Sequence, residues 1–234
     1  MIGQRVGMNG IGTLSEKTVH SVLKSYFSPD SLNQEIKVGG FVADICNGHD
    51  IIEIQTRSFD RLRRKLTVFL SYYPVTIVYP IPYMKWIRWV NPQTGEISAP
   101  RKSPRLGTPC SIFPELYKIK NFLTVPNLRL RIILLNIEEY RFLDGWSPDK
   151  KKGASPCDRI PTELVNEIRI EDIADYHQLI PDSLEDNFSS RDFKKASGLS
   201  LSASQTALNI LHYLGCVERT GKKGNAYLYT RQPF

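Results

Sequence analysis

Two short turn signals constrain the local architecture of this chain more tightly than any other feature. In "QEIKVGGFVADICNGHDIIEIQT", Gln34 to Thr56, Gly39-Gly40 and Asn47-Gly48 separate three brief apolar runs. Both dipeptides accept positive φ at successive positions, as a two-residue hairpin turn requires. The reading is three antiparallel strands in succession. Side chains alternate between faces along a strand, so the turn lengths decide which residues share a face.

Asp44 and Glu53 are the anomaly in these strands, each set in an apolar run where Val or Ile is the usual occupant. With a two-residue turn at Asn47-Gly48, Cys46 faces His49, Asp44 faces Ile51 and Val42 faces Glu53. The acids are then diagonal neighbours on one face. A four-residue turn sets them directly opposite, and an odd loop length separates them. Gln55 shares the face of Glu53, while Ile52 and Ile54 point the other way. Two carboxylates this close repel, and apolar surroundings raise the cost of charging both. A divalent cation removes the conflict, since Mg²⁺ binds through one or two carboxylates and retains several waters. The structural alternative is a solvent-exposed face that two acids keep wet.

The flanking elements follow from periodicity and caps. Thr13 and Glu16 form a capping box for a helix on which Val19, Val22, Leu23, Tyr26 and Phe27 recur at helical spacing. Ser58 is placed to cap a second helix with the stripe Phe59, Leu62, Leu66, Phe69 and Tyr73. "VTIVYPIP" and "KWIRWVN" read as successive strands, "PELYKIKNFL" as a helix and "LRIILLNI" as an apolar strand. Asp144 to Pro161, "DGWSPDKKKGASPCDRIP", has the composition of a long exposed loop.

The order helix, strand, strand with Asp, strand with Glu-x-Gln, helix, strand resembles the PD-(D/E)XK, or restriction-endonuclease-like, nuclease superfamily over Thr13 to Val90. The resemblance implies an α/β fold on a mixed sheet and hydrolysis of DNA phosphodiester bonds with Mg²⁺ or Mn²⁺, leaving 5′-phosphate and 3′-hydroxyl ends. It implies Asp44 and Glu53 as metal ligands, with the Ile54 backbone carbonyl as a third. Gln55 stands where the family usually has lysine, and an uncharged amide there can only orient water by hydrogen bonding. Glu16, on one helical face with Val19, His20 and Leu23, matches an acid that many members place near the metal.

Charge supports a polyanionic partner. The 234 residues include 31 Lys and Arg against 24 Asp and Glu, a net charge of +7 and a pI near 9.2. Arg57, Arg61 and Arg64 follow the acids as candidate phosphate contacts, Arg57 nearest. Phe188 to Phe234 resembles a winged helix-turn-helix domain, with Ser202 and Gln205 as a capping box, Gly215 as the residue after the cap and Ala207, Ile210, Leu211 and Leu214 as the buried stripe. Ser204, Gln205 and Asn209 fall largely outside that stripe and suit base contacts in a major groove. Arg219, Lys222 and Lys223 suit phosphate contact by the wing. Exposed Leu208 and Tyr213 would suit protein docking instead.

The expected organisation is a nuclease-like domain over 1–160, a connecting strand and helix over 161–187, and a winged helix over 188–234. The expected partner is double-stranded DNA, a homodimer would make duplex cleavage easiest, and no nucleotide cofactor is implied. No apolar run is long enough for a membrane span, and the N-terminus lacks the apolar core of a signal peptide. Cys46, Cys110, Cys157 and Cys216 lie far apart without metal-site spacing. A cytoplasmic protein with reduced thiols is expected. Two rival readings use the same residues: a non-catalytic DNA-binding regulator on a nuclease-like scaffold, or a component that docks into a larger complex.

Overall fold

The computed structural model describes residues 14–145 and 154–233. It shows a mixed α+β architecture built on a seven-stranded sheet. Helix α1 (Leu14–Phe27) precedes strands β1 (Gln34–Val38), β2 (Phe41–Cys46) and β3 (Ile51–Ile54), and a 3-10 turn at Phe59–Leu62 leads into α2 (Arg63–Phe69). Then come β4 (Val75–Val90), β5 (Arg101–Lys102), α3 (Phe113–Lys118) and the long strands β6 (Leu128–Phe142) and β7 (Ser155–Ile170). The sheet order is β1-β2-β3-β4-β6-β7, with β5 pairing the far half of β4. Strands β3, β4 and β6 run parallel; the other pairs are antiparallel. After a 3-10 helix at Ala174–Leu179 come β8 (Phe188–Ser189), α4 (Ser190–Ser197), α5 (Leu201–Tyr213), β9 (Val217–Lys223) and β10 (Ala226–Arg231), with a small sheet in the order β8-β10-β9.

Helix α1 covers one face of the large sheet, packing Val19 and Leu23 against Ile45, Ile54, Val78 and Ile133. The opposite face carries α2, α3 and the C-terminal unit in one continuous core that includes Phe59, Leu66, Phe69, Phe113, Phe193 and Leu211. Each such side chain contributes about 1.5–3 kcal/mol when fully buried. The C-terminal unit is therefore fused to the sheet. The Phe113 and Phe193 rings lie 6.3 Å apart, and the Cys110 thiol donates to the Leu179 carbonyl at 3.3 Å.

Several expectations need correction. The segment read as a loop from Asp144 to Pro161 enters β7 at Ser155, and the boundary expected at residue 160 falls inside that strand. Pro156 and Pro161 are tolerated because β7 is an edge strand and both lie beside irregularities in its register. "VTIVYPIP" and "KWIRWVN" form one strand, β4. Pro80 and Pro82 lie past Val78, the last residue paired with β3, so they remove no donor on that side of the ladder. On α1, Val22 and Tyr26 are exposed; the Thr13 cap lies outside the described residues. Helix α5 is capped by Ser200, which accepts from the Ala203 N–H at 3.2 Å, not by Ser202. Gly215, at φ +78°, stands after the helix end as expected. All four cysteines are free thiols. No helix among the described residues is long and apolar enough to cross a membrane.

Candidate active site and basic clefts

The connection between β2 and β3 is four residues long, because Cys46 pairs with Ile51 and Ile45 with Ile52. His49 therefore does not face Cys46. Asn47 organises the loop through its side chain, whose Oδ1 accepts from the N–H groups of His49 at 2.8 Å and Asp50 at 2.9 Å. One step further along this register, Asp44 stands opposite Glu53. There the ladder gives way to reciprocal side-chain bonds. The Asp44 N–H donates to Glu53 Oε1 at 3.2 Å, and the Ile54 N–H donates to Asp44 Oδ2 at 2.8 Å. Each acid satisfies a backbone donor of the facing strand, so both carboxylates are held in place.

A basic side chain from each flanking helix reaches one of the acids. His20 of α1 places Nε2 3.1 Å from Asp44 Oδ2, and Lys65 of α2 places Nζ 2.8 Å from Glu53 Oε2. Glu53 is 2% exposed. Burial, then the charge of Asp44, push its pKa up to about 7, against the opposing pull of Lys65. Burial also opposes ionisation of Asp44. However, the hydrogen bond and charge of His20, the Ile54 N–H and Lys65 together hold its pKa below the ordinary carboxylate value. The pair thus has one acid held ionised and the other poised near neutrality, the split that environments impose at reactive sites.

The acids open onto a cleft of about 590 Å³ whose walls include His20, Lys24, Gln34, Arg57 and Arg61. Among the described residues there is no group of three or more His, Cys, Asp or Glu side chains placed to hold a metal. Two facing carboxylates still suit an Mg²⁺-type ion, which fills its remaining positions with water and phosphate oxygen. The raised pKa of Glu53 marks a charge conflict that such an ion would relieve.

Asp44, Glu53, Ile54, Gln55, Arg57 and Arg61 are brought together around this cleft, whereas Arg64 lies exposed on α2 and outside it. The Gln55 amide donates to the Arg57 carbonyl and closes a local turn. Glu16 lies on α1, its side chain outside the described residues. Sequence reasoning places His20 beside the site and Lys65 among the cations that follow it, but it does not pair either one with the acids. The available signal for Lys65 was its position one helical turn beyond Arg61, on the same side of the helix.

A second cleft, of about 680 Å³, lies between α5 and the β9–β10 hairpin. Gln205, Asn209, Arg219 and Lys223 line it, joined by Arg191 and Tyr227. The Arg219 guanidinium lies 4.3 Å over the Tyr227 ring, and Lys222 lies 4.7 Å from the same ring without lining the cleft. Asn209 Oδ1 accepts from Lys120 at 2.8 Å. Ser204 is buried, with its hydroxyl donating to the Ser200 carbonyl at 2.9 Å, so it cannot read a base. Leu208 is 0% exposed and belongs to the core, not to a docking surface. Tyr213 is exposed, with Lys120 4.4 Å over its ring.

An uncharacterized protein of Treponema pallidum (strain Nichols) is 28% identical to this chain over 224 residues, which cover 95% of this chain and 88% of that protein. No solved structure matches. Residues 17–171, which include the large sheet and both acids, match a family described as a domain of unknown function, DUF8091, and the chain belongs to that family.

Proposed function

We propose that this protein is a metal-dependent endonuclease that hydrolyses phosphodiester bonds in DNA. The observation that carries this reading is the facing pair Asp44 and Glu53, tied to each other's strands at the mouth of a cleft lined by Lys65, Arg57 and Arg61. When bound, Mg²⁺ or Mn²⁺ supplies an activated water and neutralises charge on the phosphodiester. The protein's own groups do the rest. Backbone N–H groups already hold the Asp44 and Glu53 carboxylates, so only Lys65 has to shift for an ion to reach them. His20 positions Asp44. Arg57 and Arg61 bind phosphate oxygens at the cleft wall. Lys65, beside Glu53, supplies the positive charge that Gln55 lacks.

The C-terminal unit supports DNA as the substrate. Its order of helix, strand, two helices and hairpin fits the winged-helix reading, and Gln205, Asn209, Arg219 and Lys223 converge on one basic cleft. A non-catalytic DNA-binding regulator is the second reading, favoured by Lys65 and His20, which already engage both acids. Supercoiled plasmid incubated with Mg²⁺, with Mn²⁺ or with EDTA separates the two. The endonuclease nicks the plasmid only with metal and loses that activity in Asp44→Asn and Glu53→Gln. DNA binding without nicking in any of these buffers would overturn the enzymatic reading in favour of the regulator.

A further inference from the structure

Strand β3 stops at Ile54 while β4 continues to Val90, and this mismatch leaves a gap in the sheet immediately past the acids. Two cavities meet there. The cleft of Asp44 and Glu53 and a smaller pocket of about 270 Å³ share Thr56 as a common wall. The smaller pocket is lined by Tyr79, Pro80, Pro82 and Leu106, flat or aliphatic surfaces that fit a planar ring. Its size falls below the roughly 300–1,000 Å³ of drug-sized sites, leaving room for about one ring system. Gly107 closes its floor, where a Cβ would lie 2.1 Å from the Pro82 carbonyl oxygen.

Its rim is cationic. Lys85 and Arg159 both line it, and both turn to Glu139, at 3.5 and 3.2 Å, a carboxylate that is 2% exposed and also bonded by Arg141 at 2.7 Å. Two lining cations share one acid and Arg105 also lines the pocket, so the rim keeps positive charge for a second anion. An apolar slot with a basic mouth, joined to a phosphate-sized cleft, has the chemistry of a nucleotide whose base has left its stack.

Resting on the endonuclease reading, we propose that this pocket takes one unstacked base next to a phosphate that Arg57 and Arg61 hold beside Asp44 and Glu53. The substrate is then DNA with an unpaired nucleotide at the cut position, and uninterrupted duplex is a poor one. Thr56 separates the two subsites; Lys85 and Arg159 hold the phosphate that follows the base.

The test measures binding by fluorescence anisotropy in EDTA, using a fully paired duplex and the same duplex with one unpaired adenine. Wild-type protein binds the second about tenfold or more tightly. Ser111→Trp, which fills the pocket, and Leu106→Ala, which removes an exposed part of its wall, each reduce the preference to less than about threefold and leave paired-duplex affinity unchanged. Equal wild-type affinity for the two, or a preference that survives both variants, overturns the proposal. Nicking of the duplex that carries the unpaired adenine, with Mg²⁺ or Mn²⁺ and the same wild-type preparation, keeps the outcomes apart. Nicking without the binding preference removes the base pocket alone. Neither nicking nor preference removes both readings. Preference without nicking supports the pocket and removes the nuclease.

Discussion

Substituting Glu53 by Gln in metal-free buffer isolates the electrostatics of the site. The folded-state pKa of Glu53 is raised to about 7 from 4.5. A raised acid binds its proton more tightly in the folded state, so its favourable contribution is complete below pH 4.5 and lost as pH climbs through 7. The full difference is on the order of 3 kcal/mol, of which roughly 2–3 kcal/mol falls between pH 5 and pH 8. Asp44 works in the opposite sense, since its pKa is lowered; its contribution is present above its ordinary value of 3.8 and lost below it. That window does not overlap the loss from Glu53. In Glu53→Gln the amide oxygen still accepts the Asp44 N–H, and the amide nitrogen faces the Lys65 ammonium. This adds a roughly constant cost of about 1–3 kcal/mol over the pH range. Urea unfolding in EDTA at half-unit steps from pH 5 to pH 8 reads the slope directly. Wild-type stability falls by roughly 2–3 kcal/mol relative to Glu53→Gln across that range. Parallel curves would falsify the buried, conflicted state assigned to Glu53.

Three further outcomes follow from other contacts. Lys65→Ala leaves Glu53 buried without its cation, lowering stability at pH 8 by about 1–3 kcal/mol and cutting nicking about tenfold or more, with partial rescue by Lys65→Arg; unfolding and plasmid assays check both. Arg219→Ala removes a charge seated on Tyr227 and weakens DNA binding without regard to sequence, reducing the slope of log affinity against log salt by about 1 in a salt titration. Gly39→Ala meets Val68 Cγ1 at 2.2 Å with φ at +54°, so it costs about 1–3 kcal/mol by urea unfolding. Gly40→Ala, at φ +84° in open space, costs about 1 kcal/mol.

Period-two alternation was enough to place Asp44 and Glu53 on one face, because either even turn length gives that result. The choice between the two required Asn47, whose side chain captures two N–H groups and lengthens the loop to four residues. Gly39 and Gly40 were legible as a two-residue turn, and both adopt positive φ. Lys65 was not, since its value depends on where α2 docks and no local rule supplies that distance. Ser58 misled for a similar reason. It takes φ +62° and makes no cap bond, while Glu115 of α3 accepts from the Phe59 N–H at 2.7 Å. Ser204 looked like a reader because a hydroxyl suggests the surface. Bonded to Ser200, it is small enough to enter the core. Strand β7 was hidden by its prolines and charges, which an edge position accepts and a central one does not.

Diffraction from crystals soaked in Mn²⁺ at pH 8, with anomalous scattering used to find the ion, tests the central claim most directly. An anomalous peak between the Asp44 and Glu53 carboxylates, with Lys65 moved off Glu53, is the predicted result. Density showing Lys65 still bonded to Glu53, with no peak beside either acid at saturating Mn²⁺, would contradict it.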